Sequence, residues 1–63
     1  MEVYDLLDIG SYVNVTHDGN TLEIYSIDEI QASLVKLKKD KKNIWVDISD
    51  LYVDNDSLNV DIT

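Results

Sequence analysis

The most informative segment of this chain is Ile44-Trp45-Val46-Asp47-Ile48-Ser49-Asp50-Leu51-Tyr52-Val53. Its first half alternates aliphatic with other residues, which is the period of a β-strand. The aliphatic positions are Ile44, Val46 and Ile48, and the others are Trp45 and Asp47. After Asp47, the Asp and Ser side chains can bond to nearby backbone groups, which favours a single helical turn that Asp47 and Asp50 cap. The segment therefore predicts a strand, a short helical turn and a second strand at Tyr52-Val53.

A β-hairpin is predicted over residues 12–26. Two alternating runs, 12–16 and 21–26, flank His17-Asp18-Gly19-Asn20. Asp-Gly supplies the positive φ angles that a tight hairpin turn needs. We predict that Val13 and Val15 point inward from the first run and that Leu22 and Ile24 do so from the second. This phase places Glu23 and Tyr25 on the outer face.

Residues 26–39 are open to two interpretations. Ser26-Ile27-Asp28-Glu29 has the spacing of a helix capping box, and apolar residues then follow at intervals of three and four. The alternative is a turn at 28–31 followed by a strand over 32–38, in which Ser33, Val35 and Leu37 alternate. Local rules alone favour the helix slightly, because acidic residues precede basic ones as the helix macrodipole prefers.

The remaining segments read as turns and a terminal strand. Asp40-Lys41-Lys42-Asn43 and Asp54-Asn55-Asp56-Ser57 are polar and predict turns or loops. Leu58, Val60 and Ile62 alternate with polar residues, so we predict a last strand at an edge of the sheet.

Taken as strands, residues 9–53 resemble a small SH3-like barrel of the Tudor or KOW kind. The segments that carry the resemblance are Ile9-Gly10-Ser11-Tyr12-Val13-Asn14-Val15, Leu22-Glu23-Ile24-Tyr25-Ser26-Ile27-Asp28, Ser33-Leu34-Val35-Lys36-Leu37 and residues 44–53. The resemblance implies a mostly β fold, a five-stranded barrel with a short 3₁₀ turn before its last strand. The matching positions are classes of residue rather than a chemical signature, so no functional residue carries over. Nucleic-acid-binding members of this class are basic, whereas this chain is acidic.

The alternative fold is α+β, with a helix between two hairpins. Both folds place the same aliphatic residues in the core, namely Val13, Val15, Leu22, Ile24, Leu34, Ile44, Val46, Ile48 and Leu51. With 63 residues the chain makes a single domain, 1–63.

The charges of the chain are strongly segregated. All five basic residues are lysines within residues 36–42, whereas the thirteen Asp and Glu are spread throughout, for a net charge of −8. Such a field repels nucleic acid and anionic membranes and attracts cationic protein surfaces. We therefore expect a protein partner with a basic surface, no direct nucleic-acid binding and no membrane binding.

Several function classes are not expected from this composition. There is no cysteine and only one histidine, His17, so we expect neither a metal site nor a cofactor. So short a chain has few residues for the walls of a catalytic pocket, and we expect no enzyme. The apolar runs are too short to span a bilayer and the N-terminus is acidic, so a cytoplasmic protein is expected.

The candidate partner-binding residues combine acidic and aromatic side chains. They are Trp45, Tyr25, Glu23, Asp28, Glu29, Asp47 and Asp50. Aromatic faces attract cations, and Trp and Tyr are enriched at protein interfaces. The alternative is that residues 6–9 or 58–62 cover the aromatic rings as a second small core, and that the acidity serves only solubility.

Two function classes follow from these residues. The first is a small acidic inhibitor, of the kind that phages and mobile elements encode, which imitates DNA and occupies the nucleic-acid-binding surface of a basic partner protein. The second is a structural or adaptor module that self-associates, for instance as a homodimer, through its edge strands and exposed rings. The first predicts binding that weakens with salt, and the second predicts an oligomer with little salt dependence.

Overall fold

The structure, a computed structural model that describes all of residues 1–63, is a six-stranded β-sheet with one short helix packed against it. The elements are α1 (Val3–Leu6), β1 (Tyr12–His17), β2 (Thr21–Gln31), β3 (Leu34–Lys39), β4 (Lys42–Asp47), a 3₁₀ turn (Ile48–Asp50), β5 (Tyr52–Asp54) and β6 (Ser57–Ile62). The strand, helical turn and strand predicted over residues 44–53 are confirmed. The cap is confirmed at Asp47, whose Oδ1 accepts from the Ser49 backbone N–H and hydroxyl, both at 2.9 Å.

The sheet has the strand order β4-β3-β2-β1-β6-β5, and it is open. A mostly β fold was predicted correctly, but the five-stranded barrel was not, since a sixth strand is present and no hydrogen bonds close the sheet. The last strand was predicted at an edge, and this is wrong. β6 lies parallel to β1, with Leu58 beside Val13 and Val60 beside Val15. Burying these two aliphatic residues against the valines of β1 moves the three-residue β5 to the edge.

Residues 26–39 form strands rather than a helix. β2 continues to Gln31 through a bulge between Ile27 and Glu29, and the chain reverses at Ala32 and Ser33, where Ala32 has φ 55°. Extended chain places Ile27, Val35 and Leu37 on the one buried face of the sheet, and all three are excluded from solvent. Burial on a common sheet face therefore overrides the local capping pattern.

The phase predicted for β2 is wrong, and the length of the hairpin loop explains why. His17 pairs with Thr21, so the loop has three residues, 18–20, rather than the two of the tightest hairpins. The extra residue shifts the pairing by one position, and a shift of one exchanges the two faces of a strand. Val13 therefore lies opposite Tyr25, which is buried, while Leu22 and Ile24 are 60% and 56% exposed.

The core lies on one face of the sheet. It comprises Val13, Val15, Tyr25, Ile27, Val35, Leu37, Leu51, Leu58 and Val60. Of the residues predicted to be buried, Val13, Val15 and Leu51 are so, Ile44, Val46 and Ile48 are half-buried, and Leu22, Ile24 and Leu34 are exposed. Leu6 and Leu7 pack against this core from the N-terminal segment. They lie on the same face of the sheet as that core, so they do not cover the aromatic rings of the outer face.

Candidate protein-binding surface

A shallow groove runs beside β4, the edge strand that has β3 as its sole sheet neighbour. It has a volume of 510 Å³ and is lined by Ile44, Trp45, Val46, Asp47, Asp50, Val60, Asp61, Ile62 and Thr63. We call it the edge groove. It brings together three of the predicted partner-binding residues, Trp45, Asp47 and Asp50. It also contains Asp61, which was not among the predicted partner-binding residues.

Trp45 supplies the aromatic surface of the edge groove. It lies in the middle of β4 at a position opposite Lys36 of β3, on the face of the sheet away from the core, and is 45% exposed. Strand alternation causes this, since its neighbours Ile44 and Val46 turn toward the core. An indole with this degree of exposure can accept a cationic or apolar group from outside.

Three carboxylates, those of Asp47, Asp50 and Asp61, line the same groove as Trp45, and no lysine lies within ion-pairing distance of any of them. Asp47 is held by its bonds to Ser49, which lower the pKa of its carboxyl group. Asp61 accepts a hydrogen bond of 3.1 Å from the hydroxyl of Tyr52, and this bond raises the pKa of the phenol. Asp50 makes no side-chain hydrogen bond within the chain. The groove therefore carries uncompensated negative charge beside an aromatic ring.

No family model, no curated protein and no solved structure matches this chain.

The other predicted acidic residues lie on β2, away from the edge groove, and are paired with lysines. Asp28 and Glu29 face Lys36, at 3.2 and 3.8 Å. Glu23 receives Lys39 at 2.7 Å and Lys42 at 3.5 Å. Antiparallel pairing of β2, β3 and β4 brings the acidic residues of 23–29 against the lysines of 36–42. The sequence carried that signal, because the acids of residues 23–29 precede the lysines of residues 36–42 across a chain reversal.

Tyr25 is also removed from the predicted surface. It is 2% exposed and belongs to the core, because the three-residue loop reverses the phase of β2. The prediction that Tyr25 stands on the outer face is therefore wrong. Tyr52 is partly exposed, and its hydroxyl donates to Asp61 at the rim of the edge groove.

A polar cluster covers one end of the core on its buried face. It contains His17, Glu23, Lys39 and Lys42, with the Glu23 carboxylate at the centre and His17 Nε2 2.9 Å from Glu23 Oε1, although the two form no hydrogen bond. The bond from Lys39 lowers the pKa of Glu23 and raises that of Lys39. The charged groups of this cluster are paired with one another, so they are less available to the charged groups of a partner protein.

The lowered pKa values predict how stability depends on pH. A carboxyl group whose pKa is lower in the folded chain stabilises it above the unfolded value, and this is lost as the pH falls through the folded value. For Glu23 and Asp47 the ordinary values are 4.5 and 3.8. We expect the melting temperature of Glu23→Gln to fall less on acidification below pH 4.5 than that of the unaltered chain, as followed by circular dichroism.

Asp18→Asn is the matched control for this prediction, because it removes one negative charge from an exposed turn where no ion pair forms. Neutralising an acidic chain also relieves repulsion between its charges, and this affects both variants alike. Equal acid sensitivity in Glu23→Gln and Asp18→Asn would contradict a stabilising role for the Glu23 cluster.

Two further kinds of feature are absent from the structure, a metal-binding cluster and a membrane-spanning helix. No group of three or more His, Cys, Asp and Glu side chains is placed to hold a metal ion. No helix of the structure is long and apolar enough to cross a bilayer.

Proposed function

We propose that this chain is a small acidic protein-binding module that docks on a basic surface of a partner protein through the edge groove. One observation carries the proposal: three carboxylates without a lysine partner flank a half-exposed indole in a single groove. Charged hydrogen bonds from Arg or Lys to carboxylates are about twice as strong as neutral ones. A guanidinium group placed over the indole would add a cation–π contact.

The distribution of charge along the chain supports the same proposal. No Lys or Arg occurs in residues 1–35 or 43–63, while the lysines of residues 36–42 are largely engaged with Glu23, Asp28 and Glu29. The half of the sheet formed by β1, β6 and β5 therefore contains no Lys or Arg, and its carboxylates are those of Asp54 and Asp61. This field would steer a cationic partner towards the molecule before contact.

The finer form of the proposal is an inhibitor of the type found in phages and mobile elements. Carboxylates spread over a β-surface can imitate a row of phosphates, so the partner surface would be one that normally binds nucleic acid. The order of strand, 3₁₀ turn and strand in residues 44–53 also supports a relationship to SH3-like barrels, here in an open, six-stranded form.

Capture of partners from a cell lysate tests the proposed function. We expect the immobilised chain to retain basic, nucleic-acid-handling proteins that are released by a salt gradient and by added DNA. The double variant Trp45→Ala/Asp50→Asn is expected to lose them. Asp56→Asn removes one charge from a distant turn and is the matched control.

Identical sets of proteins on the chain, on the double variant and on the control would contradict the proposed site. Retention that resists both salt and DNA would contradict charge-led binding itself.

A self-associating module is the second candidate, and a separate observation favours it. Leu22 and Ile24 are next to each other on the outer face of β2 and are both more than half exposed. Exposed apolar side chains grouped together often mark an interface. A dimer seen by light scattering at both low and high salt, and abolished by Ile24→Lys, would favour this candidate over the first.

A further inference from the structure

β4 is an edge strand whose free side is long and regular. β4 pairs with β3 in an unbroken register over six residues, from Lys39 opposite Lys42 to Leu34 opposite Asp47. Neither a bulge nor a proline interrupts it, and its centre is Ile44-Trp45-Val46. Natural edge strands are usually short, bulged or covered, because a regular edge invites pairing with another chain. The opposite edge, β5, has three residues and meets this expectation.

The edge groove lies beside this free edge. The edge groove separates β4 from residues 60–63 of β6, and no backbone pairing crosses it. Its floor holds Ile44, Val46, Val60 and Ile62, and its rim holds the three carboxylates and Trp45. β4 has six residues, so its edge can pair with about six residues of another extended chain.

The charges along β4 give this edge a direction. The strand begins beside Lys41 and Lys42 and ends at Asp47, with Asp50 in the turn that follows. An added strand that runs antiparallel has its N-terminal half beside Asp47 and Asp50, and its C-terminal half beside the lysines. Antiparallel addition also continues the arrangement of β1 to β4, and it is slightly more stable per residue than parallel addition.

We propose that the free edge of β4 receives an extended basic segment of the partner protein as a seventh, antiparallel strand, with Arg or Lys in the N-terminal half of that segment. The inference rests on the proposed function and specifies how the partner is held. Backbone hydrogen bonds to β4 supply affinity that is independent of sequence, and alternate side chains of the segment select for charge. The arginines reach Asp47, Asp50 and Asp61, and one of them lies against Trp45.

Two peptides of identical composition test the proposal. Each is about eight residues long, the length of β4 with a short overhang. Each has alternating valines, blocked ends and a pair of arginines, placed in the N-terminal half of one and in the C-terminal half of the other. Each is titrated into the full, isotopically labelled chain, and amide chemical shifts and hydrogen exchange are followed residue by residue.

We expect the peptide with N-terminal arginines to bind at least about tenfold more tightly than its counterpart, since that factor corresponds to one favourable charge contact. Amides within residues 43–47 that are unpaired in the free chain should exchange more slowly in the complex. Asp50→Asn, which disturbs no hydrogen bond of the fold, should remove most of the preference. The control Asp56→Asn should retain it.

Four results would overturn the proposed strand addition. Shifts at Trp45 without slower exchange in β4 would leave the groove as a binding site and exclude the added strand. Tighter binding of the peptide with C-terminal arginines would exclude the antiparallel direction. Slow exchange in β4 that depends on protein concentration, without peptide, would show that a second copy of the chain occupies the edge. If neither peptide affected Trp45 or β4 at any concentration, the proposed function would fail as well.

Discussion

Tyr25→Ala is expected to remove a large part of the free energy of unfolding of this chain. Its ring is 2% exposed and lies on the same sheet face as Val13 and Ile27. Removing a buried aromatic side chain costs about 3–5 kcal/mol. The whole free energy of unfolding for 63 residues is about 3–9 kcal/mol at typical values per residue. The loss is measured as a shift in the midpoint of denaturant unfolding followed by circular dichroism.

Ile24→Ala is the matched control, because it changes the adjacent residue of the same strand. Ile24 is 56% exposed, and substitutions at such positions usually change stability by less than about 0.5 kcal/mol. The pair therefore measures which face of β2 is buried. A large loss for Ile24→Ala together with a small one for Tyr25→Ala would contradict the three-residue hairpin loop and restore the phase expected from the Asp-Gly turn.

Trp45→Ala is expected to weaken binding to a basic partner about 30-fold or more while leaving the chain folded. Central aromatic residues of interfaces commonly contribute 2 kcal/mol or more to binding, and each 1.4 kcal/mol corresponds to about a factor of ten. Trp45 is 45% exposed and lies outside the buried core. Calorimetry with a partner captured on the immobilised chain gives the change in affinity, and the unfolding midpoint reports the fold.

Tyr12→Ala is the control for this second prediction. Tyr12 is also an exposed aromatic residue on the outer face, at 74%, but it lies on β1, outside the edge groove. It should leave the affinity almost unchanged. Equal losses for Trp45→Ala and Tyr12→Ala would show that the partner contacts the outer face generally. Unfolding of Trp45→Ala would instead show that the ring supports the fold.

The sequence predicts the local elements of this fold well where period and turn chemistry agree. Residues 44–53 alternate, and Asp47 then accepts hydrogen bonds from the following Ser49, so the strand and the 3₁₀ turn can be derived without knowledge of the rest. The same alternation places Trp45 on the outer face. These predictions depend on interactions between residues a few positions apart, and such interactions can be predicted from the local sequence alone.

The wrong predictions arise where a single residue of strand register, or a contact between residues far apart in the chain, determines which side chains are buried. Asp18 and Gly19 both have positive φ, as a two-residue turn would require, yet the loop includes Asn20 as well. That single residue exchanges Tyr25 for Ile24 in the core. The position of β6 beside β1 depends on contacts between residues about 45 apart in the chain, and no local pattern reports them.

The candidate site was predicted in part for the same reason. Trp45, Asp47 and Asp50 lie within six residues of one another, so their proximity follows from the local turn. The lysine partners of Glu23, Asp28 and Glu29 reach these carboxylates only through the pairing of β2 with β3, so local patterns do not predict the ion pairs. Asp61 enters the edge groove only through the tertiary placement of β6.

Intrinsic fluorescence tests the central claim most directly, since Trp45 is the only tryptophan of the chain and reports on the edge groove alone. An arginine-rich peptide is titrated at low and at high salt, and binding is measured in parallel by calorimetry. We predict a saturable change in emission that high salt abolishes, that Asp47→Asn/Asp50→Asn removes and that Asp56→Asn retains. Peptide binding that leaves the emission unchanged, or that the groove variant and the control weaken equally, would contradict a specific edge-groove site and leave only attraction to the net charge.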